Sequence, residues 1–153
     1  MLTALMLVAT SAFTRTSDGV VPGDTAPNIV LVNDIIKTTL QDMRGEYVLL
    51  TFWASDNAES RIQCTKYSAW VKDSEIANLR HVSVNFDKEP DLFREISRLD
   101  SLDPQRQFNV PGTEADAIID DYGLASGYGS LLIDPQGRVV SVNPKTSDIA
   151  SLI

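Results

Sequence analysis

Cys64 is the only cysteine and His81 the only histidine in a chain of 153 residues, so few nucleophile or metal chemistries are open to it. One thiol excludes an intrachain disulfide, a two-cysteine redox centre and every multi-cysteine zinc pattern. One imidazole gives little from which to build a His-based metal cluster or a Cys–His catalytic pair. No metal and no other cofactor is expected. Asp87, Glu89 and Asp91 crowd one stretch, but they lack the spacing of a calcium loop and read as solvated surface. Cys64 itself has two readings. It is an inert, partly buried thiol, or it is a lone nucleophile for peroxide reduction or mixed-disulfide formation.

The formal net charge of -8 argues against a nucleic-acid partner, because phosphate-backbone binding needs a concentrated basic face. No basic amphipathic stretch suits a membrane surface either. Length and composition fit one domain with its own core. Leu2 to Phe13 (LTALMLVATSAF) is an apolar run ending in small residues, with a polar stretch from Thr14 to Gly19 behind it. The run is too short to span a bilayer and suits the apolar region of an export signal, with cleavage near Ala9–Ala12. Residues 1–20 are therefore expected to be a signal peptide or its remnant plus a polar leader. The folded domain is expected over 21–153, in the periplasm or cell envelope, with no stable membrane span. An apolar N-terminal strand or helix is the alternative.

The elements that must position these residues follow from periodicity. Val21 to Pro27 is punctuated by Pro and Gly, and Asn28 to Val32 is short and β-rich. Leu40 to Gly45 reads as one helical turn stopped by glycine. Tyr47 to Trp53 (YVLLTFW) is a continuous apolar run, the pattern of a strand covered on both faces. A helix is expected from about Asn57 to Lys72, with Ser60, Cys64, Tyr67 and Val71 on one face. His81 to Phe86 is the next strand, and Pro90 opens a helix to about Leu99. A short strand fits Gln107 to Val110, and a helix fits Glu114 to Tyr122, stopping at Gly123. Ser130–Ile133 and Arg138–Val142 flank Asp134-Pro135-Gln136-Gly137, a type I turn signal that makes them a hairpin. A last helix is expected to be capped by Thr146 or Ser147. Strands alternating with helices and closing on a hairpin imply an α/β fold: a mixed central sheet flanked by helices on both faces.

Several of these segments, in order, resemble the thioredoxin-like envelope proteins of the TlpA/ResA type. Val21 to Pro27 is similar to their G-x-x-A-P entry, Leu40 to Gly45 to their turn before the central strand, and Leu49 to Ser55 (LLTFWAS) to the strand delivering the active site. Tyr122-Gly123-Leu124 and Leu131 to Val140 (LLIDPQGRVV) resemble the closing part of the fold. The resemblance covers roughly residues 21 to 150 and implies a thioredoxin-like fold with an N-terminal β extension. It implies thiol–disulfide oxidoreductase ancestry as well.

In that family the strand runs into W-C-x-x-C, where helix-terminal N–H groups stabilise a thiolate. Here Asn57 stands at the attacking position and Ser60 at the resolving one, and neither an amide nor an alcohol can store a disulfide. Asp56 is expected to cap the helix, with Glu59 reaching back in a capping box. Arg61 is expected to pair with Asp56 or Glu59. Thr51 stands where thioredoxin proper has a buried acid. The family's cis-proline corresponds to Tyr128, within Gly127-Tyr128-Gly129, and a trans bond and a reshaped loop are expected there. Tyr128 either keeps contact with an extended peptide or packs its ring over the vacated site.

Two functions follow from the resemblance. The first is a non-catalytic module binding a protein or peptide through Trp53, Asp56, Glu59, Gly127, Tyr128 and Gly129. The second is a thiol–disulfide oxidoreductase or peroxidase-like enzyme using Cys64 alone.

Overall fold

Tyr47–Trp53 forms the central strand, β3, and nearly every residue along it is buried. The computed structural model describes residues 19–153, so the expected export signal and its cleavage site lie outside the described residues. Apolar side chains on both faces of β3 must be covered, and the rest of the chain is arranged to cover them. Val48, Leu50 and Phe52 point into one cluster, completed by Leu31, Phe86, Phe108, Ala115 and Tyr122. Leu49 points the other way, onto Tyr67, Leu132 and Ile149. Trp53 meets Cys64 and Leu102 in a third cluster. Each large side chain so buried contributes roughly 1.5–3 kcal/mol.

Seven strands and four α-helices provide this covering among the described residues. A small hairpin comes first, β1 (Val30–Val32) and β2 (Lys37–Thr39), paired antiparallel. The main sheet adds β4 (Leu79–Asn85), β5 (Gln107–Asn109), β6 (Ser130–Ile133) and β7 (Val139–Val142), in the order β5-β4-β3-β6-β7. β4 runs parallel to β3 and β5 parallel to β4, while β6 is antiparallel to β3 and β7 to β6. Helices α1 (Ala58–Ser74), α2 (Pro90–Leu99) and α4 (Thr146–Leu152) put Tyr67, Phe93 and Ile149 against one face. Helix α3 (Thr113–Tyr122) puts Ala115 and Tyr122 against the other. This is the mixed α/β sheet with helices on both faces that the element order implied. No helix among the described residues is long and apolar enough to cross a membrane.

The turns follow local chemistry. Gly137 takes φ +82° and donates its N–H to the Asp134 carbonyl at 2.9 Å, closing the β6–β7 connection. Asn33 builds the β1–β2 turn by accepting from Ile35 and Ile36 N–H, both at 2.8 Å. Its amide nitrogen donates to the carbonyls of Pro104 and Gln107, tying the N-terminal β extension to β5. Two expectations change. The final helix starts from Lys145 with no side-chain cap, so neither Thr146 nor Ser147 serves. β2 was not foreseen, because Lys37-Thr38-Thr39 carries no apolar alternation and is held by pairing to β1.

Candidate functional site

The end of β3 feeds a tight turn in which Asn57 N–H donates to the Ala54 carbonyl at 3.1 Å. This turn leaves Asn57 extended (φ -103°, ψ 97°), the backbone shape of a helix cap. Its Oδ1 accepts from Ser60 N–H at 2.9 Å, and its carbonyl accepts from Ser60 Oγ at 3.0 Å and Arg61 N–H at 3.1 Å. Ser60 Oγ in turn accepts from Ala54 N–H at 3.3 Å. The two residues thus satisfy the helix tip from within. The cap is Asn57 and not Asp56, so the expected Asp56–Glu59 capping box does not form: the turn puts the amide, one residue later, over the free N–H. Asp56 and Glu59 both stay exposed.

Arg61 also differs from expectation. It forms a two-pronged pair with Asp100 at the end of α2, both contacts at 2.6 Å, which holds its guanidinium firmly charged. From the first turn of α1 the long side chain reaches the C-terminal end of α2, away from its own helix terminus.

Asp87 corrects the reading of that acidic stretch as solvated. It is 7 % exposed, and its carboxylate accepts from Ser55 N–H at 2.7 Å, from Ser55 Oγ and from Asn85 Nδ2 at 3.1 Å. Asn109 Nδ2 closes the network on Asn85 Oδ1 and the Asp87 carbonyl, both at 2.9 Å. The carboxylate ties the end of β3 to the end of β4, and Asn109 adds β5 through Asn85 and the Asp87 backbone carbonyl. Nothing in Asn85-Phe86-Asp87 distinguishes this from a surface acid.

Tyr128 sits half-buried with its ring stacked on Phe86, centroids 5.6 Å apart. Burial and the charges of Asp56 and Asp87 push its phenol above the ordinary tyrosine range. The backbone has no cis peptide bond among the described residues. Gly127 adopts φ +150°, and a side chain at Gly129 would meet Asn143 Oδ1 at 3.2 Å. The Asn143 amide is committed there, accepting from Ser130 N–H at 2.8 Å.

Between this loop and the first half of α1 lies a cleft of about 700 Å³. It brings together Asn57, Glu59, Ser60, Gly127, Tyr128 and Gly129, and adds Gln63, Lys66, Asn143 and Lys145, which the sequence did not flag. Asn143 has φ +49°, and the Asn-Pro step after a strand is the one signal that could have marked it. Trp53 is not at this surface. It is fully buried under α1 with its indole N–H donating to Ser83 Oγ at 3.1 Å, because β3 alternation turns it inward.

Cys64 is 0 % exposed, packed against Trp53 and Leu102. Burial, aided by the Asp100 charge and only partly offset by Ser83, pushes its thiol up to about 12. His81 is 3 % exposed and pushed down to about 3 by burial and the nearby Arg106 charge, and its Nε2 pairs with Thr51 Oγ1 at 3.1 Å. Thr51 on the central strand is thus bonded to a neutral, buried imidazole. Among the described residues no cluster of His, Cys, Asp and Glu could hold a metal.

The model of the AhpC/TSA family matches residues 22–142. No curated protein matches. Among solved structures, a thioredoxin-like protein from Parabacteroides distasonis is 26% identical with a TM-score of 0.72, over 88% of this chain and 95% of that one. A thiol:disulfide interchange protein from Bacteroides sp. is 18% identical with a TM-score of 0.76, over 89% and 88%. The thioredoxin domain of a thiol-disulfide oxidoreductase from Bacteroides vulgatus is 19% identical with a TM-score of 0.76, over 86% and 94%.

Proposed function

Because the chain belongs to the AhpC/TSA family and has the thioredoxin-like fold, we propose that it is a redox-silent member that binds an extended protein or peptide segment beside Tyr128. The observation that carries this reading is the helix tip. Where the family resemblance puts two sulfurs, an amide and an alcohol satisfy each other and the surrounding backbone. Neither the Asn57 amide nor the Ser60 alcohol ionises to a nucleophile near neutral pH, and the one thiol of the chain is walled off beneath α1. The scaffold around the tip is intact, and the cleft beside it retains an aromatic ring, loop backbone and flanking Lys66, Lys145 and Glu59 for recognition without chemistry. The apolar leader and the interchange proteins among the structural neighbours support a place in the periplasm or cell envelope.

Two measurements test this. Insulin reduction and glutathione-redox assays should give no turnover, and robust activity abolished by Cys64→Ser would overturn the proposal. Capture from an envelope extract should recover a protein that the Tyr128→Ala variant fails to retain. Identical recovery by both would remove the cleft from the reading.

A further inference from the structure

Behind the Tyr128 loop lies a smaller cavity of about 160 Å³. Phe52, Gly127, Tyr128, Gly129, Ser130 and Asn143 line both this cavity and the 700 Å³ cleft, so the loop stands between the two. The other walls are mostly apolar and come from separate parts of the chain. Val20 belongs to the N-terminal segment, Tyr122 to the end of α3, Leu131 to β6 and Val142 to β7. Phe52 and Tyr122 hold one side, their ring centroids 4.8 Å apart. Gly19 closes another. It takes φ +76°, and a Cβ there would stand 2.9 Å from the Tyr122 carbonyl oxygen, so its backbone lies directly on the end of α3. Val20 is thereby held against the main core cluster, which Tyr128 joins from the loop side.

The lining limits what can enter. Among the described residues it includes no charged side chain, unlike the cleft, where Glu59, Lys66 and Lys145 stand. Its polar side chains are engaged elsewhere: Asn143 Oδ1 accepts from Ser130 N–H, and Ser130 Oγ donates to Thr51 Oγ1. An uncharged, apolar occupant is therefore favoured over an ion. Size narrows it further. Small-molecule sites usually span about 300–1,000 Å³, whereas an apolar cavity of about 150 Å³ takes a single benzene ring. The space suits one side chain. The Tyr128 N–H and carbonyl make no hydrogen bond among the described residues, which leaves the loop backbone open to a segment crossing it. An extended segment alternates its side chains, so one can enter the cavity while its neighbours stay over the cleft.

We infer that the cavity takes one uncharged side chain of leucine or phenylalanine size from the segment bound beside Tyr128. An apolar anchor residue is then the feature that the site selects. This rests on the reading of the cleft as a peptide site.

The probes are blocked pentapeptides, acetyl-Ser-Gly-X-Gly-Ser-amide with X as Leu, Phe, Ala or Lys, titrated into the full chain by amide NMR. The Leu peptide should bind at least about tenfold more tightly than the Ala peptide, with the Lys peptide no better than Ala. Shifts should fall on Val20, Leu131 and the 127–129 loop. Val20→Phe should fill the cavity and bring the Leu peptide down to the level of Ala. Val20→Ala, a milder change for the fold, should widen it and favour the Phe peptide over Leu. Equal binding of Leu, Ala and Lys peptides at the loop would overturn the anchor and leave the cleft reading standing. A Leu preference untouched by both Val20 variants would also overturn it. Binding of none of the peptides would remove the cleft reading and the anchor together.

Discussion

Asn57 contributes to stability through a single side-chain contact at the start of α1. Its amide caps α1, and replacing it by alanine would strip Ser60 N–H of its acceptor. Asn57→Ala should lower stability by about 1 kcal/mol, whereas Asn57→Asp keeps the acceptor, adds a favourable charge and should match or exceed the native protein. Urea unfolding of the three proteins checks both. Cys64 makes the complementary point. With its thiol pushed up to about 12 and no surface exposed, labelling by iodoacetamide at neutral pH should be slow and limited by unfolding, and fast in denaturant. Rapid stoichiometric labelling of the folded protein would contradict this. At this scale the sequence was only half legible. It showed that Asn57 and Ser60 carry no sulfur, but whether Asp56 or Asn57 caps the helix depends on one turn bond to Ala54, which no residue type announces.

Between elements, polar contacts do what apolar patterning cannot foretell. The Asp87 carboxylate joins the ends of β3 and β4 through Ser55 and Asn85, Asn109 adds β5 to them, and the Arg61–Asp100 pair ties the start of α1 to the end of α2. Removing the buried acid leaves several donors facing no acceptor. Asp87→Ala should therefore cost about 3 kcal/mol, read as a lower urea midpoint at unchanged slope. Element identity was largely readable: YVLLTFW as a doubly covered strand and Pro90 at the start of α2 are both matched by the structure. The interactions joining elements were not. A charged residue looks the same in sequence whether its partner lies in water or, as for Arg61, 39 positions away.

Across the whole molecule, pH acts through His81. Its folded-state value is lowered from 6.5 to about 3, mainly by burial. The unfolded chain therefore takes up a proton below about pH 6.5 that the folded chain refuses, and stability falls as pH falls through that window. From about pH 7.5 to pH 5, mostly above the range where carboxylates titrate, the loss should be about 2 kcal/mol. A His81→Gln variant should show a shallower dependence by urea unfolding, and an equal slope in both proteins would refute the assignment to His81. The global architecture was the most legible level, because alternating strands and helices and a closing hairpin admit few topologies. The small β1–β2 hairpin escaped because it is held by neighbours and not by its own pattern.

The antiparallel partner of the central strand arrives late. β4 can join one edge of β3 soon after α1 forms, but the other edge waits for β6, whose Ser130 meets Thr51 across 79 positions. At roughly 5–20 residues per second of synthesis, a bare apolar edge would persist for several seconds as the chain emerges. Fragments ending before Ser130 should be sticky and prone to self-association, and a holding chaperone would find its best target along Tyr47–Trp53.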